Sequence, residues 1–129
     1  MHHRKNIGCA LIFVQPTGRD LPLEEFAQQV FTRLCITKWQ GYSANQSNDV
    51  VFAGDAAGIE VSVGAEDAEG QYPFLVALKP KVAFGDSDYL VEHARNLAKH
   101  WSHSGWHCFV PREGLYEITN YEDGYDFTA

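Results

Sequence analysis

No run of apolar residues approaches the ~20 that a membrane-spanning helix requires, so we expect no membrane segment. The basic start, Met1–Asn6, leads into a segment too short and too strand-like for a signal peptide. The three cysteines form an odd set without CxxC spacing, which argues against a disulfide framework and indicates a reducing compartment. These absences predict a soluble cytoplasmic protein.

Motifs that name a reaction are also missing: there is no GxSxG, HExxH, GxGxxG or phosphate-binding loop. Cys9 and Cys108 lie in predicted strands and Cys35 on the apolar side of a predicted helix, where cysteine behaves as a small hydrophobic residue. His107 adjoins Cys108, but neighbours in a strand point to opposite faces. We therefore predict no catalytic residue, no metal and no cofactor, and we favour a non-enzymatic protein.

Basic residues are missing from two stretches of the chain, residues 41–78 and residues 114–129, and the net charge is −7. Nucleic-acid binding needs Lys and Arg to displace counterions from phosphates, so nucleic acid is excluded as a partner. An acidic surface instead steers a basic protein toward it. The acids of the two stretches are Asp49, Asp55, Glu60, Glu66, Asp67, Glu69, Glu117, Glu122, Asp123 and Asp126.

What is present is the pattern of a folded α+β domain, with 45% apolar residues. The clearest element is a helix that Asp86 or Ser87 caps and Gly105 ends. One face of this helix is apolar at helical spacing. A strand from His107 to Val110 follows it, and Pro111 ends that strand. The apolar face consists of Leu90, Val91, Ala94, Leu97, Ala98 and Trp101.

The first half of the chain predicts a strand, a helix and a hairpin. Ile7–Gln15 is apolar throughout, which is typical of a strand buried on both faces. A helix follows from a cap at Asp20 to about Thr37, with an apolar side at helical spacing. Trp39–Asp49 is polar and is predicted to be a connection. The apolar side of the helix is Leu23, Phe26, Ala27, Val30 and Leu34, and the remaining predicted strands are Val50–Ala53, Ile59–Val63 and Pro73–Lys79.

The predicted order is β-α-β-β-β-α-β, with a β-α-β unit on each side of a hairpin, as in ferredoxin-like sandwiches. We expect a two-layer α+β fold with two helices on one face of a mainly antiparallel sheet of 4–5 strands. Residues 1–113 form this single domain. Residues 114–129 form an acidic, tyrosine-rich extension that packs on the sheet or pairs with it, and Asp123-Gly124 indicates a turn there.

The charge distribution and the tyrosine-rich extension favour an acidic protein-binding module. We expect a small inhibitor or an immunity-type protein that neutralises a basic partner such as a nuclease toxin. An acidic surface is suited to masking a site on the partner that evolved to bind phosphates. Tyrosines contribute binding hot spots, and Tyr125 and the acids are expected to face outward. The predicted partner-binding residues are Glu60, Glu66, Asp67, Glu69, Tyr121, Glu122, Asp123, Tyr125 and Asp126.

Two other interpretations stay open. Histidines at helical spacing can ligate a metal, and sites are assembled in space, so His93, Asn96 and His100 can instead form a small-molecule or metal site, including an enzyme's. The other histidines nearby are His103 and His107. Alternatively, strands that are apolar on both faces can bury an open sheet face in a homodimer. The residues behind that expectation are Ile12, Val14, Val76 and Leu78.

Overall fold

The computed structural model describes residues 10–17, 21–43, 50–56, 58–65, 72–80, 88–111 and 124–128. Seven strands and two helices lie in these ranges. Neither helix is long and apolar enough to cross a membrane. In chain order, the elements are β1 (Ala10–Pro16), α1 (Leu23–Arg33), β2 (Trp39–Ser43), β3 (Val50–Ala56), β4 (Ile59–Ala65), β5 (Phe74–Pro80), α2 (Asp88–Ser102), β6 (Trp106–Pro111) and β7 (Gly124–Phe127).

The strands form one sheet in the order β2-β3-β4-β5-β1-β6-β7, and every neighbouring pair is antiparallel. β1 lies between β5 and β6, so these two strands are parallel to each other and α2 connects them across β1. α1 connects β1 to the edge strand β2, with β3, β4 and β5 in between. Both helices bury their apolar sides against the same face of the sheet.

The predicted α+β class, with two helices and an antiparallel sheet, is confirmed. The predicted count of 4–5 strands is wrong, because β2 and β7 extend the sheet to seven strands. In the unit β5-α2-β6, one strand, β1, lies between the two parallel strands. In the unit β1-α1-β2, three strands lie between them, so the ferredoxin-like plan of two equivalent β-α-β units is not confirmed. Both added strands have sequences without a clear alternation of apolar and polar residues, WQGYS in β2 and GYDF in β7.

Alternate side chains of the central strands form the main core with both helices. Phe26 of α1 stacks on Phe74 of β5, with ring centroids 4.1 Å apart, and also contacts Trp106. The predicted apolar face of α2 is confirmed, with Leu97 only partly buried. Asp86 and Ser87 lie outside the described residues. The strand residues of the main core include Ile12, Val14, Val61, Val63, Val76, Leu78, Cys108 and Val110.

The opposite face of the sheet has a second, smaller core. Leu11 and Phe13 of β1 are buried there against Tyr72 and Phe109. β1 is therefore buried on both faces from Ala10 to Val14, as its continuous apolar run predicts. The chain itself covers these side chains, so this part of the second face is not free to bury against another copy.

β2 occupies part of the predicted connection Trp39–Asp49, and close packing explains why a polar segment forms a strand. Trp39 packs between Phe31 of α1 and Phe52 of β3, with ring centroids 5.1 Å and 5.8 Å away. A Cβ on Gly41 would lie 2.7 Å from the Phe52 ring. Glycine is therefore required where β2 meets β3. Residues 44–49 lie outside the described residues.

α1 ends at Arg33, earlier than the predicted end near Thr37. The backbone N–H of Ile36 donates to the Phe31 carbonyl at 2.8 Å, and that of Cys35 donates to the Thr32 carbonyl at 3.1 Å. This pair of bonds is a Schellman motif, which places Cys35 in the left-handed conformation with φ of 60°. Cys35 is consequently exposed, and its predicted place on the apolar side of the helix is wrong.

Arg33 joins the end of α1 to the turn between α2 and β6. Its guanidinium carbon lies 3.9 Å from the Trp106 ring centroid, and its Nη1 donates to Ser104 Oγ at 2.6 Å. Thr17, just after β1, bonds the Gly105 carbonyl through its backbone N–H and its hydroxyl. Gly105 has φ of +102°, so the predicted left-handed glycine stands three residues beyond the helix end at Ser102. These contacts fix how both helices meet the sheet.

We expect Cys35→Gly to raise the free energy of unfolding by about 0.5–1 kcal/mol. A side chain in the left-handed conformation costs about 1–2 kcal/mol, and glycine removes that cost while adding some entropy to the unfolded chain. Urea unfolding monitored by circular dichroism measures the difference. Cys35→Ala is the control, since it removes the thiol but keeps the Cβ; equal stability of the Gly and Ala variants would contradict the assignment.

Candidate functional site

Three of the predicted partner-binding residues lie in the described part of the chain: Glu60, Tyr125 and Asp126. They belong to β4 and β7, which are separated by three strands in the sheet. The structure therefore does not bring them into one cluster. The others lie outside the described residues: Glu66, Asp67, Glu69, Tyr121, Glu122 and Asp123.

Glu60 lies directly opposite Asp55 on the face of the sheet away from the helices. The register follows from the tight turn at Gly58, whose φ of +80° suits glycine. Two carboxylates directly opposite each other repel. Among the described residues, Glu60 forms no ion pair, although Lys79 is its neighbour on β5. The hairpin therefore holds two negative charges side by side on a rigid element.

These two carboxylates line an open groove of about 790 Å³ at the β2 edge of the sheet. The segment between α1 and β2 supplies one side of this groove, and β3 and β4 supply the other. Lys38, Trp39 and Gln40 also line the groove. The pair of carboxylates suits a cationic side chain, since guanidinium groups pair with carboxylates.

A hydrogen-bonded cluster of Tyr72, His107 and Asp126 lies on the same face of the sheet, near the β7 edge. The Tyr72 hydroxyl donates to Asp126 Oδ1 at 3.1 Å, and His107 Nε2 lies 2.9 Å from the same oxygen. A carboxylate accepts only, so Nε2 must carry a proton. Tyr72 is 1% exposed, whereas the side chain of Asp126 is 55% exposed. The cluster fastens the edge strand β7 to the second core.

Sequence patterns do not show this cluster, because its members come from three separate elements. His107 and Asp126 are brought together by the pairing of β6 with β7. Tyr72 precedes β5 and crosses the second core to reach them, with its ring edge-on to the His107 ring. The sequence predicts only that His107 and Cys108, as neighbours in a strand, point to opposite faces of the sheet. The structure confirms that prediction.

Tyr125 packs against the main core instead of facing outward as predicted. The guanidinium carbon of Arg95 on α2 lies 4.0 Å from the centroid of its ring. Alternation along β7 explains the difference, because Tyr125 and Phe127 point toward the helices while Asp126 points to the other face. Of the two described residues of the extension that were predicted to bind a partner, Tyr125 and Asp126, Asp126 is the exposed one.

The histidines do not form a metal site in the described residues. His93 is partly buried, and Asn96 and His100 are exposed on α2. His107 lies on the far side of the sheet from α2, which separates it from the other histidines. No group of three or more His, Cys, Asp or Glu side chains that could hold a metal ion is found among the described residues. The described residues therefore give no support to the interpretation of this helix flank as a metal site.

Cys108 does not supply a nucleophile. Its side chain is fully buried in the main core, and burial raises the pKa of its thiol to about 12. A thiol with this pKa stays protonated at neutral pH, and the thiolate is the reactive form. Cys108 therefore acts as the small hydrophobic residue that its strand predicts. Cys9 lies outside the described residues.

No protein-family model matches the chain, and neither a curated protein nor a solved structure matches it. The comparisons therefore assign no family and no activity. Function is inferred from the geometry and charge of the chain's own surfaces.

We expect Tyr72→Phe and Asp126→Asn each to lower the free energy of unfolding by about 1 kcal/mol, because each weakens a hydrogen bond within the cluster. The two effects should not add: a coupling energy of about 0.5–1 kcal/mol is expected for groups that share a bond. Urea unfolding of the single and double variants measures this coupling. The control acid is Glu92, exposed on α2, and additive effects of Tyr72→Phe and Glu92→Gln are expected. Additive effects of Tyr72→Phe and Asp126→Asn would contradict the shared bond.

Proposed function

We propose that the chain is a non-enzymatic acidic module that binds a basic protein. Its form would be a small inhibitor or immunity-type protein that neutralises a basic partner such as a nuclease toxin; a phage-encoded inhibitor is an equivalent case. The observation that carries the proposal is the pair of carboxylates, Asp55 and Glu60, held side by side on a rigid hairpin at an open groove.

The distribution of charge around this pair supports the proposal. The hairpin belongs to residues 41–78, which contain no Lys or Arg. The second base-free stretch, residues 114–129, follows β6, and the register places Pro111 at the same end of the sheet as Glu60. Three strand spacings separate β4 from β6, which is about 14 Å. A single partner surface of ordinary size can span that distance.

The groove also suits the chemistry of a basic partner. A site that binds nucleic acid is rich in Arg and Lys, which contact phosphates. A carboxylate pair on a rigid hairpin offers such an arginine an ion pair. Complementary charge also speeds association, which matters for an inhibitor that must capture a toxin quickly. The cysteines suit a reducing compartment, and we place the inhibitor in the cytoplasm.

The test is capture from extracts of the native host with the tagged chain. The unchanged chain is expected to capture a basic protein at low salt and to release it at high salt, because the attraction between exposed charges is screened. The identity and nuclease activity of the captured protein are then measured with and without the chain. Loss of that activity on binding is the expected result.

Charge-reversal variants test the surface itself. Glu60→Lys with Glu122→Lys should slow association with the captured protein by about tenfold and flatten its salt dependence. Glu24→Lys with Glu92→Lys is the matched control, because it changes net charge equally on the two helices, outside the base-free stretches. Equal association rates for the two variants would contradict the proposal. Capture of an acidic partner would also contradict it.

A further inference from the structure

A second groove, of about 500 Å³, lies between α2 and the edge strand β7. Arg95 and Lys99 on one side of α2 line this groove, together with His103, the residue that follows the end of the helix, at spacings of four residues. All three side chains are exposed. Asn96 and Thr128 add further polar groups to the wall. The groove therefore offers a row of basic groups in a chain whose net charge is −7.

These basic groups have no acidic partner within the described part of the chain. No ion pair there involves Arg95, Lys99 or His103. Asp126 also borders the groove, but its carboxylate accepts bonds from His107 and Tyr72 on the other face of the sheet. The second acid, Glu92, lies one turn before Arg95, at the N-terminal end of the row.

Stacking sets the position of the first basic group. The guanidinium of Arg95 lies over the ring of Tyr125, with its central carbon 4.0 Å from the ring centroid. A stacked guanidinium keeps its N–H groups in the plane parallel to the ring, where they can donate to a carboxylate. Arg95 is thus held at the β7 side of α2. A ligand lying beside β7 meets it without rearrangement.

The other wall of the groove is the last strand of the sheet. β7 pairs with β6 on one side, and no described strand pairs with its other side. Such an edge presents backbone N–H and C=O groups that can bind an added strand. An extended peptide can therefore gain backbone hydrogen bonds from β7 while its side chains reach α2.

The spacing of the basic groups matches an extended ligand. Four residues of helix rise about 6 Å, and side chains on one face of a strand recur about every 6.8 Å. Over three positions the two repeats differ by about 1.6 Å, which long side chains absorb. Acidic residues at alternate positions of an extended peptide can therefore each approach one basic group of α2.

We propose that the groove between α2 and β7 binds an extended acidic peptide segment of a partner protein, with carboxylates at alternate positions directed at Arg95, Lys99 and His103. The site is distinct from the acidic hairpin at the opposite edge of the sheet, and it selects ligands of the opposite charge. The net charge of −7 disfavours the approach of any acidic ligand, so recognition depends on close ion pairs within the groove.

The test uses fluorescence anisotropy of a labelled peptide, Glu-Val-Glu-Thr-Glu-Val, with the full chain. Two matched peptides carry Gln in place of Glu, or the same residues with the three Glu adjacent. The alternating peptide should bind at least tenfold more tightly than the Gln peptide and more tightly than the adjacent one. Lys99→Ala should weaken binding about fivefold and Lys99→Glu should weaken it further.

Lys38→Glu is the control variant, because Lys38 is exposed at the other edge of the sheet and the charge change is identical. It should bind the peptide as the unchanged chain does, and both variants should keep the unchanged melting temperature. Equal binding of the Gln peptide, or equal effects of Lys99→Glu and Lys38→Glu, would overturn the proposal. The proposal would also be overturned if the chain did not bind the peptide but self-associated, and if Lys99→Glu abolished that self-association. A second copy of the chain would then occupy the groove.

Discussion

Burial of β1 on both of its faces is the constraint on which the rest of the structure depends. From Ala10 to Val14 every side chain is buried, so the strand needs a core above it and a core below it. It also needs paired neighbours on both edges, because buried backbone groups must be hydrogen-bonded. β5 and β6 supply that pairing, and the chain must cross over β1 through α2 to place them. The two helices then cover one face.

On the second face of the sheet, the same constraint also determines how the edge strand β7 is attached. Leu11 and Phe13 require cover on the side away from the helices, and the ring of Tyr72 contributes it. In this position, the hydroxyl of Tyr72 reaches His107 of β6 and Asp126 of β7 and forms hydrogen bonds with them. The same side chain thus buries apolar surface and fastens β7. Through β7, the wall of the basic groove is fixed to the centre of the sheet.

Charge is arranged by the same topology. The order of strands places the acidic hairpin of β3 and β4 toward one edge and the basic side of α2 beside the other edge. Four strand spacings of about 4.8 Å separate β4 from β7, about 19 Å in all, which is more than a Debye length at physiological salt. Each region therefore has its own local charge, and the two proposed binding surfaces are of opposite sign.

Hydrophobic pattern was sufficient to predict the elements that build the cores. Three patterns each predict one arrangement. The continuous apolar run predicts that β1 is buried on both faces, the apolar face from Leu90 to Trp101 predicts that α2 packs on the sheet along one side, and the alternation in β4 predicts a strand with one buried face. β2 escaped prediction because its stability comes from Trp39 and Phe52 packing over glycines, which is a tertiary effect. The end of α1 escaped because Cys35 adopts a conformation that usually marks glycine.

The candidate sites were less accessible to sequence reasoning. The Asp55–Glu60 pair follows from the hairpin register, which a turn at Gly58 determines, and was within reach. The Tyr72–His107–Asp126 cluster was not, because it needs the order of β5, β1, β6 and β7 in the sheet. Tyr125 was placed outward on composition, whereas the pairing of β7 decides which of its side chains face the helices.

Amide hydrogen exchange measured by nuclear magnetic resonance tests the central claim, that β1 lies inside the sheet and is buried on both faces. The amides of Leu11 to Val14 should be among the slowest to exchange, and those of β7 faster, because edge strands open more readily. Cross-strand Overhauser effects should link Phe13 to Leu75 on one side and to Phe109 on the other. Exchange in β1 as fast as in β7, or the absence of either set of cross-strand contacts, would contradict the account.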